Sequence, residues 1–280
     1  MAEKRPQRFG VLHHPKLPLS LELAQQVQRF LAERGCSAWL GSSWEIGAEQ
    51  ERFPDLDMLI TLGGDGTILR AARAGAPLGI PILGINLGRV GFLAELEPEA
   101  WQVGLTRLLQ SDYWLEERLL LRSEHRRQGE VLDSSLCLNE AVVGRGCVAR
   151  VVRIGLTVDG APLPPHVADG LIVATPTGST AYAFAAGGPI LPPTLRNILL
   201  VPIAPMFGVM RPIVIHESSV VHLTVETDDE ARLTVDGQFD APVESGDEIE
   251  IRASEHRARF ARLRPPAYFY DALARQLRCR

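Results

Sequence analysis

The sequence predicts an N-terminal α/β domain built on a parallel sheet, then a mostly antiparallel β-rich domain, with a C-terminal helix returning to the first. Short apolar runs at Arg8–Leu12, Asp57–Leu62 and Pro81–Asn86 alternate with stretches of helical periodicity, the pattern of parallel β-α units. From about Asp112 helical periodicity nearly vanishes. Period-two alternation replaces it at Val152, Ile154, Leu156 and Val158, at Val221, Leu223 and Val225, and at Leu233 and Val235. After Pro265-Pro266 helical spacing returns in Phe269, Leu273 and Leu277. The expected division is residues 1–111 plus 265–280 against residues 112–264.

In chain order, Arg8–Leu12 is the first strand. Ser20 is placed to cap a helix with Leu23, Val27, Phe30 and Leu31 on its inner face, ended by Gly35. Ser37–Leu40 is a second strand and Asp57–Leu62 a third, apolar enough to be covered on both faces. The third strand runs into Gly63-Gly64-Asp65-Gly66-Thr67. A helix of good formers is expected to open at Thr67 and to stop at Gly75 and Pro77. Strand Pro81–Asn86 leads into a second glycine-rich loop, Leu87–Leu93. Pro98 suits the first turn of a helix reaching about Gln110, with Leu105, Leu108 and Leu109 inward. In the β-rich part Asp159-Gly160 and Asp236-Gly237 read as hairpin turns, and Ile249 and Ile251 close the series.

Composition narrows the function. The net charge is −5, which argues against non-specific nucleic-acid binding as the main task. Arg252, Arg257, Arg259, Arg262 and Arg264 alternate near a strand end and read as a solvated face. Met1–Pro6 carries charge with no apolar segment after it, so no secretory signal is expected. The most apolar run, Ile198–Val209, is too short to span a bilayer and is broken by Pro202 and Pro205. Cys36, Cys137, Cys147 and Cys279 form neither a CxxC pair nor a zinc spacing. Free thiols in a reducing compartment follow, and a cytoplasmic location with no membrane partner is expected.

Chemistry concentrates in three stretches. The glycines around Asp65 let a ligand approach the main chain, and their N–H groups together with a helix N-terminus make a phosphate seat. An acid there does not attract phosphate; it suits holding a metal or taking a proton. A tight turn with a satisfied Asp side chain is the plainer alternative. Neither glycine loop has the GxGxxG or GxxxxGK[ST] spacing. The second stretch, Asn139-Glu140, puts an amide beside a carboxylate in an apolar strand, offering donor and acceptor to a vicinal diol such as a ribose, or else marking a strand end in solvent. In the third, a strand after Asp169 runs into Thr175-Pro176-Thr177-Gly178-Ser179-Thr180, then Tyr182 and Gly187-Gly188-Pro189. Its hydroxyls can bond phosphate or sugar oxygens and Tyr182 can lie against a base; a hydroxyl-rich turn capping a helix near Thr180 explains the threonines alone.

Gly63-Gly64-Asp65-Gly66-Thr67, Gly84-Ile85-Asn86-Leu87-Gly88 with Gly91-Phe92-Leu93, Asn139-Glu140, and Asp169 through Pro189 together resemble the NAD kinase family in content, order and spacing. The first element alone has relatives in diacylglycerol and sphingosine kinases and in phosphofructokinases; the Asp169–Pro189 stretch is the specific one. The resemblance implies phosphorylation of the 2′-hydroxyl of the adenosine ribose of NAD, with ATP as donor and a divalent metal, Mg2+ or Mn2+. It implies Asp65 as catalytic base. It puts Gly66, Asn139, Glu140, Arg150, Asp169, Thr180, Ala181, Tyr182, Ala183, Phe184, Ala185 and Gln238 on the dinucleotide. Gly63, Gly64, Thr67, Arg70 and Asn86 complete the expected nucleotide-binding set. It also implies a homodimer or homotetramer whose site a neighbouring subunit completes. No resident metal site is visible, and His13-His14 reads as a loop feature. Family members often carry a histidine after the proline of the Pro-Ile-x-Pro segment; here the run is Pro202-Ile203-Ala204-Pro205-Met206-Phe207. A lipid kinase sharing the glycine turn would call for an amphipathic membrane helix or a polybasic patch, which the sequence lacks. A dinucleotide sensor without chemistry would have no use for Asp65.

Overall fold

The computed structural model describes residues 5–88, 91–147, 150–206 and 211–278. Arg89 and Val90 of the second glycine loop, the end of the Ile198–Val209 run from Phe207, residues 1–4 and Cys279 lie outside them. The chain forms two compact units, Met1–Glu117 with His256–Arg280, and Arg118–Glu255. Both divisions fall inside long strands, where composition has no break.

The first unit holds the parallel strands β1 (Arg8–His13), β2 (Ser37–Ser42), β3 (Met58–Gly63) and β4 (Ile82–Asn86). Their order is β2-β1-β3-β4. The chain therefore steps outward to one side after β1 and to the other after β3. Right-handed crossovers in opposite directions put the following helices on opposite faces. Helix α1 (Pro18–Ala32) follows β1 and α3 (Asp65–Gly75) follows β3, with the short α2 (Ile46–Glu49) between. One face of the sheet buries Phe9, Val11, Met58, Ile60, Leu83 and Ile85 against Leu23, Val27 and Leu31 of α1 and Leu105 and Leu108 of α4 (Trp101–Leu109). On the other face α3 comes so close that a Cβ on Gly84 would meet Ile68 at 2.6 Å.

Three local expectations are revised. Helix α1 begins at Pro18, whose fixed φ and missing N–H suit a first turn, so Ser20 is not its cap. The Ser20 hydroxyl instead donates to Leu62 O at 2.6 Å and accepts the His14 N–H at 2.8 Å, tying α1 to the ends of β1 and β3. Helix α3 opens at Asp65, not Thr67, because Gly64 is already extended and serves as its N-cap. Arg262 is not on a solvated face. It is 7% exposed, donates to Glu116 at 2.6 Å and to Leu93 O at 2.9 Å, and lies 3.3 Å from Glu95. Alternation did not reveal this because the guanidinium sits among carboxylates at the end of an otherwise regular strand.

The second unit is a β-sandwich. The antiparallel sheet β12-β11-β10-β7-β14-β15 comprises Ile213–His216, Asn197–Ile203, Gly170–Ala174, Glu140–Arg145, Ala231–Val235 and Phe239–Val243. Facing it are β8 (Val152–Val158), β9 (Ala161–Ala168) and β13 (Val221–Glu226), the hairpin β5 (Trp114–Arg127) with β6 (Glu130–Cys137), and the first part of β16 (Glu248–Arg262). Inward residues of both layers, among them Val143, Leu171, Ile154, Leu223, Leu233 and Ile251, form one buried core. The outer face of the first sheet buries Ile172, Ala174, Leu199 and Val201 beneath Ala183 of the single-turn α5 (Tyr182–Ala185). Helix α6 (Tyr268–Arg278) belongs to the first unit.

The buried ion group gives a stability test. Removing Arg262 takes a cation from two buried carboxylates, Glu95 and Glu116, and breaking such a group costs about 3–5 kcal/mol. Arg262→Met is expected to lower the unfolding free energy by that amount in urea titration. A midpoint and slope equal to wild type would contradict the role given to Arg262.

Candidate active site

In the first unit the site grows from the end of β3. Gly64, at φ −91° and ψ −174°, turns the chain into α3, and Thr67 N–H bonds Gly64 O at 2.9 Å. Asp65, Gly66 and Thr67 thus form the first helical turn, where the helix dipole favours negative charge. Crowding accounts for two of the glycines. A Cβ on Gly63 would lie 2.3 Å from Thr67 Oγ1, and one on Gly91 would lie 2.2 Å from Asp65 Oδ1. A Cβ on Gly64, in contrast, would meet nothing within 4 Å, so the turn is open. Phe92 N–H donates to Asp65 Oδ2 at 3.3 Å, and Phe92 packs on Phe269 of α6 with ring centroids 6.0 Å apart. The second glycine loop is therefore folded onto the acid of the first.

Asn86 organises that second loop. Its Oδ1 accepts Gly88 N–H at 3.1 Å and its Nδ2 donates to Glu97 at 3.3 Å, while Leu87 N–H bonds Gly63 O at 3.0 Å. Arg70 is on α3, with its guanidinium 5.7 Å from the centre of the Trp44 ring. The turn sits beside the end of β1, since His13 is in register with Leu62. This is where the strand order reverses, and ligands of open α/β sheets bind outside the carboxyl ends of strands at such a point.

In the second unit three chain segments meet at one end of the six-stranded sheet. Glu140, which opens β7, pairs with Ala174 at the end of β10. The turn after β10 closes over it. Thr175 Oγ1 donates to Leu138 O at 2.5 Å, Thr175 N–H donates to Asn139 O at 2.8 Å, and a Cβ on Gly178 would lie 2.1 Å from Asn139 O. The third segment is the β14–β15 turn, where Asp236 and Gly237 both take positive φ, 51° and 61°. The Asp236 carboxylate accepts the N–H groups of Leu138, Asn139 and Glu140 at 3.0, 2.8 and 3.1 Å. Gln238 closes the same hairpin through its N–H to Val235 O at 2.9 Å.

Glu140 is the unusual group. It is 7% exposed, and its Oε2 has no hydrogen-bond partner among the described residues. Burial first, and then the Asp236 charge, push its pKa up to about 8. At neutral pH it is mainly a neutral acid that can both donate and accept, which suits a sugar hydroxyl. Beyond it Thr180 bonds Thr177 O, Ala181 leads into α5, and Tyr182 is exposed while Ala183 is buried beneath it, with Phe184 half-buried and Ala185 exposed.

Asp169 and Arg150 stand apart. Asp169 precedes Gly170, at the opposite end of β10 from Thr175, roughly 20 Å away at the usual rise of a strand. It pairs with Arg145 at 3.0 Å, and Arg150 pairs with Asp229 at 3.3 Å on the surface. Sequence reasoning missed Asp236 as a site residue because an Asp-Gly hairpin signal already accounted for it. Its position two residues before Gln238 was the available cue.

A family model described as the ATP-NAD kinase N-terminal domain matches residues 17–113, and one described as the ATP-NAD kinase C-terminal domain matches residues 138–263. The chain is 40% identical over 272 residues to an NAD kinase of Dehalococcoides mccartyi, covering 97% of this chain and 96% of the relative. It is also 40% identical to an NAD kinase of Chloroflexus aggregans, covering 97% and 99%. Among solved structures, an Archaeoglobus fulgidus NAD kinase in complex with ATP superposes with a TM-score of 0.77 at 29% identity, over 96% of this chain and 98% of that one. Yeast NADH kinase complexed with NADH shares the fold, with a TM-score of 0.88 at 23% identity over 98% and 88%. With both domain models matched and relatives at this identity over nearly its whole length, the chain belongs to the NAD kinase family.

Proposed function

We propose that the protein transfers the γ-phosphoryl group of ATP to the 2′-hydroxyl of the adenosine ribose of NAD, giving NADP and ADP. One observation carries the reading: a carboxylate, Asp65, stands in an open glycine turn at the head of α3, oriented by the Phe92 N–H. Phosphoryl transfer asks the protein for position and charge stabilisation more than for covalent chemistry. Asp65 takes the proton of the ribose hydroxyl as its oxygen attacks the γ-phosphorus, and the bond to the ADP oxygen breaks. The N–H groups of the turn and of the first turn of α3 receive phosphate oxygens. Asn139 and Glu140 hold ribose hydroxyls, and the Thr180–Ala185 segment takes the rest of the dinucleotide.

Mg2+ or Mn2+, when bound with ATP, would offset the charge of the phosphates. Among the described residues no group of three or more His, Cys, Asp or Glu side chains is placed to hold an ion. Asp65 would be the carboxylate that holds such an ion, since magnesium sites commonly use one or two carboxylates together with substrate phosphates. In this reading Asp169 and Arg150, remote from Glu140 along the strands, serve the dinucleotide of a second copy in a homodimer or homotetramer. No helix among the described residues is long and apolar enough to cross a membrane, and a cytoplasmic location agrees with Cys36, Cys137 and Cys147 forming no disulfide. A lipid acceptor is disfavoured: the acceptor-side groups here are a buried carboxyl and a backbone-anchored amide.

Asp65→Asn keeps the shape of the turn and removes the base. It is expected to lower kcat by about 10²–10⁴-fold with little change in KM for NAD. Near-wild-type kcat would remove Asp65 from the role.

Glu140 supplies a test without turnover. Its folded pKa of about 8 lies above the ordinary value of 4.5, so the native state keeps a proton that the unfolded chain has released. The stabilisation is full below about pH 4.5 and is lost as pH rises through about 8. Glu140→Gln has no such group, and its unfolding free energy is expected to fall less than wild type's between about pH 6 and pH 9, by a few kcal/mol. Equal pH dependence of the two proteins in urea titrations would show that Glu140 is ionised in the native state.

A further inference from the structure

We propose that Trp44, with Lys16 and Arg70, is the seat of the donor nucleotide, the indole carrying the purine base and the two cations its phosphates. The inference rests on the kinase reading above and deepens it by locating the donor. Trp44 lies just after β2, two residues past its end at Ser42, and is 47% exposed, unusual for a large aromatic side chain. Around it stand His14, edge-on with ring centroids 5.8 Å apart, the Lys16 ammonium 4.5 Å from the ring centre, and the Arg70 guanidinium 5.7 Å from it. The support is rigid. Ser43 N–H bonds His13 O at 2.9 Å, Trp44 N–H bonds Ser42 Oγ at 3.2 Å, and Lys16 N–H bonds His14 Nδ1 at 3.2 Å.

Among the described residues, the side chains of Lys16 and Arg70 have no carboxylate partner. Arg70 is also partly buried and feels the charge of Arg73, and both effects disfavour its charged form. A polyanion relieves that repulsion. Two cations without a carboxylate partner among the described residues and an exposed indole at the reversal of strand order, with Arg70 on the helix that begins at Asp65, match a base linked to a chain of phosphates. Nothing ties the Lys16 ammonium to the ring except cation–π attraction. A base can therefore stack on the indole while Lys16 turns to the phosphates, which run toward Gly63–Thr67.

The test measures binding of ADP, of inorganic tripolyphosphate and of NAD to the full chain by titration calorimetry. Trp44→Ala is expected to weaken ADP binding roughly tenfold, in line with the loss of one base–aromatic stack. It should leave tripolyphosphate and NAD binding within about twofold, and Trp44→Phe should restore ADP binding. Lys16→Ala should weaken ADP and tripolyphosphate together. In assays, Trp44→Ala should raise KM for ATP with KM for NAD little changed. Unaltered ADP binding by Trp44→Ala overturns the seat, as does a loss of NAD binding equal to the loss of ADP binding. The two readings fail separately. NADP formation with ADP binding indifferent to Trp44 removes the seat and keeps the kinase, whereas Trp44-dependent ADP binding without NADP formation keeps the seat and removes the kinase. Circular dichroism of each variant identifies any that fail to fold, and Trp44→Phe then decides.

Discussion

The first unit depends on the reversal of strand order between β1 and β3. With α1 leaving on one face and α3 on the other, the carboxyl ends of the two strands open between diverging helices. Everything placed there follows from that. Gly63 and Gly64 end β3 without side chains, Asp65 is carried onto the first turn of α3, and Ser20 bonds the main chain of both strand ends. The geometry is held by contact as much as by hydrogen bonds, since Gly63 and Gly91 leave no room for even a methyl group beside Thr67 and Asp65.

In the second unit a single carboxylate does the corresponding work. Asp236 accepts three successive N–H groups at the start of β7, which fixes Asn139 and Glu140 against the turn after β10. The same negative charge, added to burial, keeps a proton on Glu140. Asp236 thus fixes where the pair stands and adds to burial in keeping Glu140 protonated. A neutral carboxyl can donate to one hydroxyl oxygen and accept from another, whereas a buried carboxylate beside Asp236 would carry an uncompensated charge.

Much of this was legible in the sequence, for physical reasons. Buried strands of a parallel sheet are continuous apolar runs, so β1, β3 and β4 stood out, and Gly63–Thr67 announced a strand-turn-helix. Alternation marked β8, β13 and β14. What escaped was long-range. Ser20 looked like a cap because the cue is local, whereas its partner Leu62 is 42 residues away. Arg262 looked solvated because its partners Glu95 and Glu116 are distant in the chain. Asp236 had a sufficient local explanation as a turn residue, and its bonds to Leu138, Asn139 and Glu140 join distant segments. Arg70 was expected on the nucleotide, but Trp44 and Lys16, which stand beside it, come from separate segments and form no motif.

The central claim concerns one bond, between a phosphoryl group and the 2′-oxygen of the adenosine ribose. Incubation of the purified protein with NAD, ATP and magnesium, followed by phosphorus–proton correlation NMR of the isolated dinucleotide product, reads that bond directly. The predicted result is one new phosphomonoester coupled to the 2′ proton of the adenosine ribose, formed mole for mole with ADP. Unchanged NAD, or a phosphate on any other hydroxyl, would contradict it.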